Sequence, residues 1–154
     1  MADTGNGATV TFTALDGTSS STAIGNVRSV NLGEQSMPVI DTSHLGTTNY
    51  LTSIPGDLQD PGEISMEVIF DQDTVGIPSL GTVEDIIITF PIVTTGNTTN
   101  ATYTASGFFS SVSLPEVVNN ELMMMTLTFK CDGGHDEEEG SDPAGEPSFT
   151  SEAA

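Results

Sequence analysis

Apolar side chains recur along this chain with the two-residue period of strands far more often than with the 3.6-residue period of a helix. The clearest case is Glu63–Phe70, where Ile64, Met66, Val68 and Phe70 point one way and Glu63, Ser65 and Glu67 the other. Val10, Phe12 and Ala14 alternate with threonines, and Arg28, Val30 and Leu32 alternate with Ser29 and Asn31. Met37 and Val39 form a short run that ends at Asp41. Asp85–Val93 is apolar on both faces, which predicts a more buried strand with Pro91 at an edge or bulge. Thr102–Leu114 and Leu122–Cys131 complete the set; in the latter Met123, Met125, Leu127 and Phe129 share one face and read as core. Helical signal is confined to Thr74–Glu84, where Gly76, Pro78 and Gly81 keep any helix short. The predicted fold is all-β, a β-sandwich or partial barrel with one short helix.

Two segments stand apart from this pattern. The stretch 42–62 carries no strand signal, yet it contains Leu45, Tyr50, Leu51, Ile54 and Leu58, with a turn at Pro55 and Gly56. Long loops without structure of their own are usually functional or disordered. Its apolar groups call for burial on the chain's own body or on another subunit. The second segment, 132–154, holds eight acids and no base, is rich in Gly, Pro and Ser, and has Phe149 as its only large apolar residue. It is too polar to fold alone. It reads as a solvated acidic arm or, with Phe149 as anchor, a docking arm. The chain therefore divides into a body, 1–131, and an acidic C-terminal arm, 132–154.

Charge narrows the function. The 154 residues carry 22 acids but only two bases, Arg28 and Lys130, for a formal net charge of −20. Removing the arm leaves fourteen acids and two bases, −12, on the body. Two bases cannot build a phosphate-tracking surface or a polybasic membrane contact. The single cysteine, Cys131, excludes an intrachain disulfide framework. No apolar run approaches the roughly 20 residues of a bilayer span. The N-terminus lacks the basic start and apolar core of a signal peptide, so the expected setting is a cytoplasm. Apolar side-chain bulk is modest, which favours a chain that gains stability by oligomerising.

Catalytic and metal-binding patterns are weak. Asp41, Ser43 and His44 lie close in sequence, but such residues in a loop usually bond local amides. His135 falls in the acidic arm and reads as solvated. Lys130 beside Cys131 slightly favours thiolate, although no histidine stands near as a base. Asp57–Asp60 and Asp71–Asp73 resemble fragments of calcium loops without the spacing of one. Asn97-Thr98-Thr99 reads as a polar turn. Neither an enzyme activity nor a metal or cofactor is expected.

The order of short motifs is more informative. Ile40-Asp41-Thr42-Ser43-His44 leads into Ile54-Pro55-Gly56-Asp57-Leu58, then Asp60-Pro61-Gly62-Glu63-Ile64, then a strand ending at Phe70-Asp71. Later come Gly107-Phe108-Phe109 through Leu114-Pro115, and Met125–Lys130 before Asp132-Gly133. Over about 24–133 this order resembles the tail tube (major tail) proteins of long-tailed bacterial and archaeal viruses. The resemblance implies a structural virion protein made in the host cytoplasm, whose subunits form rings, typically hexameric. Inner strands of neighbours join into one β-barrel, and stacked rings conduct viral DNA. The loop 42–62 and the terminal arms would bridge adjacent rings. Partners would be other copies of the chain and further tail proteins (terminator, tape measure, baseplate or tip). DNA would be a repelled cargo and no membrane would be involved. Glu63, Ser65 and Glu67 would face the channel as part of an acidic wall free of bases. The acidic arm departs from the family's compact end or added surface domain. Two other readings compete: a carbohydrate-binding or adhesin-like β-sandwich, and the tube protein of a contractile or secretion system. The first expects exposed aromatics and an export signal, but tryptophan is absent and aromatics are 6% of the chain.

Overall fold

A computed structural model describes residues 6–14, 22–24, 26–70, 78–117, 119–133 and 147–153. They form ten strands: β1 (Thr9–Ala14), β2 (Thr22–Ile24), β3 (Val27–Asn31), β4 (Val39–Asp41), β5 (Ser53–Pro55), β6 (Glu63–Ile69), β7 (Val83–Thr89), β8 (Thr102–Ser113), β9 (Met124–Cys131) and β10 (Ser148–Thr150). The fold is all-β. One antiparallel sheet runs β2-β1-β7-β8-β9-β6-β3, with β10 added beside β8, and curls into a partial barrel. Strands β4 and β5 form a separate two-stranded ribbon.

The alternation read from the sequence accounts for the core. Ile64, Met66 and Val68 of β6 face Met125, Leu127 and Phe129 of β9 across a continuous register, and all six are buried. Phe109 of β8 packs edge-on against Phe129 at 5.2 Å and against Phe12 at 5.8 Å. Val10, Ile86, Ile88, Tyr103 and Ala105 extend the same apolar interior. Burying a large side chain of this kind is worth about 1.5–3 kcal/mol, so the concave face supplies most of the stability.

Local irregularities explain where the sequence pattern slips. A β-bulge between Val27 and Ser29 shifts the pairing of β3 with β6, so Arg28 is exposed and Val27 joins Val30 and Leu32 against the core. Simple alternation had placed Arg28 on that face; one extra residue in a strand reverses the phase. A second shift between Phe109 and Ser111 keeps both Phe109 and Val112 on the inner face. Strand β7 begins earlier than expected, at Val83, and ends at Thr89, so Pro91 lies beyond it and needs no edge or bulge. The helix expected over Thr74–Glu84 lies partly outside the described residues, and inside them 78–84 is turn and strand. No helix occurs among the described residues.

Strands β3 and β6 continue past the sheet as a projecting arm. Gly33 and Gly62 sit where the pair leaves the sheet, with φ of +72° and +87°. A Cβ on Gly33 would stand 2.0 Å from the Glu63 carbonyl oxygen, and one on Gly62 would stand 2.4 Å from that of Glu34. Only glycine allows both the left-handed turn and this backbone approach. Beyond the bend, Ser36 and Asp60 exchange backbone hydrogen bonds of 3.0 and 2.7 Å, and β4 and β5 pair from Val39↔Pro55 to Asp41↔Ser53. The stretch 42–62 is therefore the tip and returning strand of a β-hairpin arm rather than a strand-free loop.

Candidate functional site

Three surfaces collect the residues that the sequence singled out. The first is the arm. Leu45 is fully exposed, Tyr50 and Leu51 are each 84% exposed, and Leu58, Ile54, Val39 and Ile40 are also open to solvent. Pro55 is exposed in β5, and Gly56 donates its amide to the Pro38 carbonyl at 2.7 Å. In the single chain these apolar groups are not buried on the body.

The polar residues of the arm are spent on its turn. The Asp41 carboxylate accepts the Ser43 amide at 2.8 Å. The Ser43 hydroxyl and amide together hold the Asp41 carboxyl below its ordinary pKa. The Ser43 hydroxyl also accepts the Thr52 amide at 3.0 Å, and His44 Nδ1 accepts the Gly46 amide at 3.0 Å. These are turn caps across the ribbon, and they account for the clustering of Asp41, Ser43 and His44.

The second surface is the convex face of β3, β6, β9 and β8. Cross-strand register places Ser29 and Asn31 beside Glu67 and Ser65, then Thr126, Thr128 and Lys130 beside Glu67, Ser65 and Glu63. Ser111 and Ser113 follow opposite Thr128 and Thr126. Glu63, Ser65 and Glu67 thus share one face, as their spacing predicts, within a wall of small polar side chains. Ser29 donates to Glu67 at 3.3 Å.

The expectation that this wall is free of bases is wrong. Lys130 lies directly opposite Glu63, with its Nζ 3.1 Å from Asp60 Oδ1 and 4.0 Å from Glu63 Oε1. The Gly62 amide and then Lys130 hold the Asp60 carboxyl below its ordinary pKa. Asp60 therefore ties the stem of the arm to the wall. Next to Lys130, Cys131 points into the interior, where burial pushes its thiol up to about 11 against a smaller opposite pull from Lys130. Such a thiol is protonated at neutral pH and is a poor nucleophile.

The third surface lies where the C-terminal residues return. Strand β9 ends opposite Gly107, and β10 takes the vacated edge of β8, with Ser148↔Thr104, Phe149↔Tyr103 and Thr150↔Thr102. The Phe149 ring lies 5.8 Å from that of Phe90. Past β10, the Glu152 carboxylate accepts the amides of Val93 at 2.9 Å and Thr94 at 3.2 Å, and Asn97 Nδ2 at 2.9 Å. These donors, led by the Val93 amide, keep the Glu152 pKa below its ordinary value. The amides of Thr98 and Thr99 both donate to the Ala153 carbonyl at 3.0 Å. Sequence reasoning singled out Phe149 but missed Glu152 and Asn97, whose meeting depends on pairing across more than fifty residues.

Among the described residues, no group of three or more His, Cys, Asp or Glu could hold a metal ion. Asp71, Asp73 and His135 lie outside them. No helix of the described residues is long and apolar enough to cross a membrane.

No protein-family model matches the chain, and no curated protein matches it in sequence. Solved structures do share its fold. A chain of the anti-feeding prophage (AFP) baseplate, determined by cryo-EM with 6-fold symmetry imposed, superposes with a TM-score of 0.64 at 10% identity. That match covers 86% of this chain and 93% of the other. A chain of an extracellular contractile injection system, the PVC sheath–tube complex in its extended state, gives a TM-score of 0.53 at 17% identity, covering 80% and 84%. The curled sheet of this protein is thus a fold found in phage-tail-like injection particles.

Proposed function

We propose that this chain is a non-enzymatic structural subunit of a phage-tail-like particle, one that assembles into stacked rings forming a tube. The observation that carries this reading is the arm. A ribbon that presents Leu45, Tyr50, Leu51 and Ile54 to water, held out by a two-glycine bend and a lysine clamp, is built for burial on another molecule. The fold shared with chains of injection assemblies supports the same reading. In a ring, the arm contacts the neighbouring ring. The polar wall bearing Glu63, Ser65 and Glu67 faces the channel, with Lys130 neutralised by Asp60. Small hydroxyl side chains and carboxylates that outnumber the single lysine make a poor grip for phosphate, so DNA passes without being held.

The protein then works in the virion tail, with further copies of itself and other tail proteins as partners. The AFP and PVC likenesses favour a second reading, in which the rings belong to the tube or baseplate of a contractile injection particle that need not carry DNA. Negative-stain and cryo-EM of the purified full-length chain test both. Six-fold rings or tubes with Glu63 and Glu67 on the inner wall are expected. A protein that stays monomeric at all concentrations and salt levels overturns the assembly reading, and rings with both glutamates on the outer wall overturn the channel assignment. Nucleic acid or its absence inside native particles separates the two readings.

A further inference from the structure

The C-terminal dock has the parts of a recognition site for an extended peptide. It offers an open edge of β8 at Thr102–Thr104, an aromatic ring at Phe90, and a turn whose two amides and one side-chain amide converge on a carboxylate. Edge pairing supplies affinity, while the ring and the turn supply selectivity. The preference is for an aromatic residue followed three positions later by a carboxylate, the spacing of Phe149 and Glu152.

The seated segment is shallow. All three residues of β10 are exposed, and Phe149 remains 63% exposed while touching Phe90. Three paired residues and one charged cap make an exchangeable contact. The chain between the two strands is also far longer than this seat requires. Cys131 faces Gly107 and Ser148 faces Thr104, three positions apart along β8, or about 10 Å. Residues 134–146, at roughly 3.3 Å each when extended, reach about 40 Å. That length exceeds the local gap about fourfold, which leaves slack for the segment to seat on another molecule.

We propose that the β8 edge and the Val93–Asn97 turn form a strand-exchange site, and that a second copy's C-terminal segment takes it when chains are brought together. In the isolated chain its own residues 148–153 fill the site. Exchange preserves every contact and adds none, so its equilibrium follows chain concentration rather than new chemistry. It links copies through the sheet independently of the arm. The inference needs oligomerisation but not a tube, so it stands or falls separately from the channel reading.

Disulfide trapping tests it on the full-length chain, since Cys131 is buried at 2% exposure and stays out of the reaction. The register pair Thr104→Cys and Ser148→Cys placed in one chain is expected to close in cis at low concentration. With Thr104→Cys in one copy and Ser148→Cys in a second copy of different size, a linked pair is expected whose yield rises with concentration. Adding Phe149→Ala and Glu152→Gln to the second copy should lower that yield roughly tenfold, as loss of a charge-assisted contact implies. Cis closure without any trans link at any concentration overturns the exchange. An unchanged yield in the Phe149→Ala, Glu152→Gln copy overturns the recognition rule, and failure of both closures overturns the dock itself.

Discussion

The hairpin from Val27 to Ile69 crosses the Gly33–Gly62 bend, and its two halves carry apolar residues to opposite ends. Below the bend, every inward residue of β6 meets a partner from β9 and disappears from solvent. Above it, Val39 and Ile40 of β4 and Ile54 of β5 remain open on both faces of the ribbon. The backbone hydrogen bonding is of the same kind in both halves, so pairing alone does not bury a strand. What differs is the second layer. The curled sheet supplies one for β6, and nothing among the described residues supplies one for the arm. In the proposed assembly the halves contribute to different quantities, the inner one to folding and the outer one to association.

That contrast is broken or sharpened by four measurements. Phe129→Ala empties the centre of the aromatic cluster and should cost about 3–5 kcal/mol in chemical denaturation. Tyr50→Ser on the arm should cost less than about 0.5 kcal/mol. Comparable losses from the two would erase the distinction. Gly62→Val forces a branched residue into the left-handed region against the Glu34 carbonyl, with an expected cost of about 1–3 kcal/mol. Hydrogen exchange should then show the amides of Ser36, Gly56 and Asp60 losing protection while β9 keeps its own. Uniform loss across both would mean that the arm and the body fold as one unit.

Ile54→Asp should leave the thermal midpoint of the monomer almost unchanged and block assembly, read by sedimentation velocity and electron microscopy. Normal assembly would remove this face of the arm from the interface. The smallest effect is pH-dependent. Asp60 and Glu152 both have lowered pKa values in the fold, so their contribution is present above their ordinary carboxylate values and lost as pH falls through the folded ones. Acidification from pH 5 to 3 should loosen the arm stem and the C-terminal dock before the core melts, visible as faster exchange at Gly62, Val93 and Thr94. Simultaneous loss of β9 protection would contradict that order.

Much of the body was legible because its strands are long and one-sided. Ile64, Met66 and Val68 and their counterparts Met125, Leu127 and Phe129 announce both the strands and the core. The arm was legible as apolar but not as paired. Three-residue strands such as Val39-Ile40-Asp41 and Ser53-Ile54-Pro55 are too short to show a period, and Pro55 argues against one. Arg28 misled because a bulge is set by the partner strand and leaves no local mark. For the polar wall, the shared face of Glu63, Ser65 and Glu67 follows from spacing alone, whereas Lys130 joins it through register with a strand far along the chain. Glu152 was illegible for the same reason, since its three donors lie in a turn that sequence reads only as polar.

The scarcity of bases has a last consequence, for proteolysis. Trypsin can cut this chain only after Arg28 and Lys130. Both bonds lie inside strands, one in β3 at the sheet's edge and the other in β9 between β8 and β6. Each site must open before it is cleaved, and an edge strand opens at lower free energy than an interior one. A tryptic time course on the native protein is thus a two-point gauge. The cut after Arg28 reports fraying of the edge strand, and the cut after Lys130 reports opening of the end of β9 between its two neighbours.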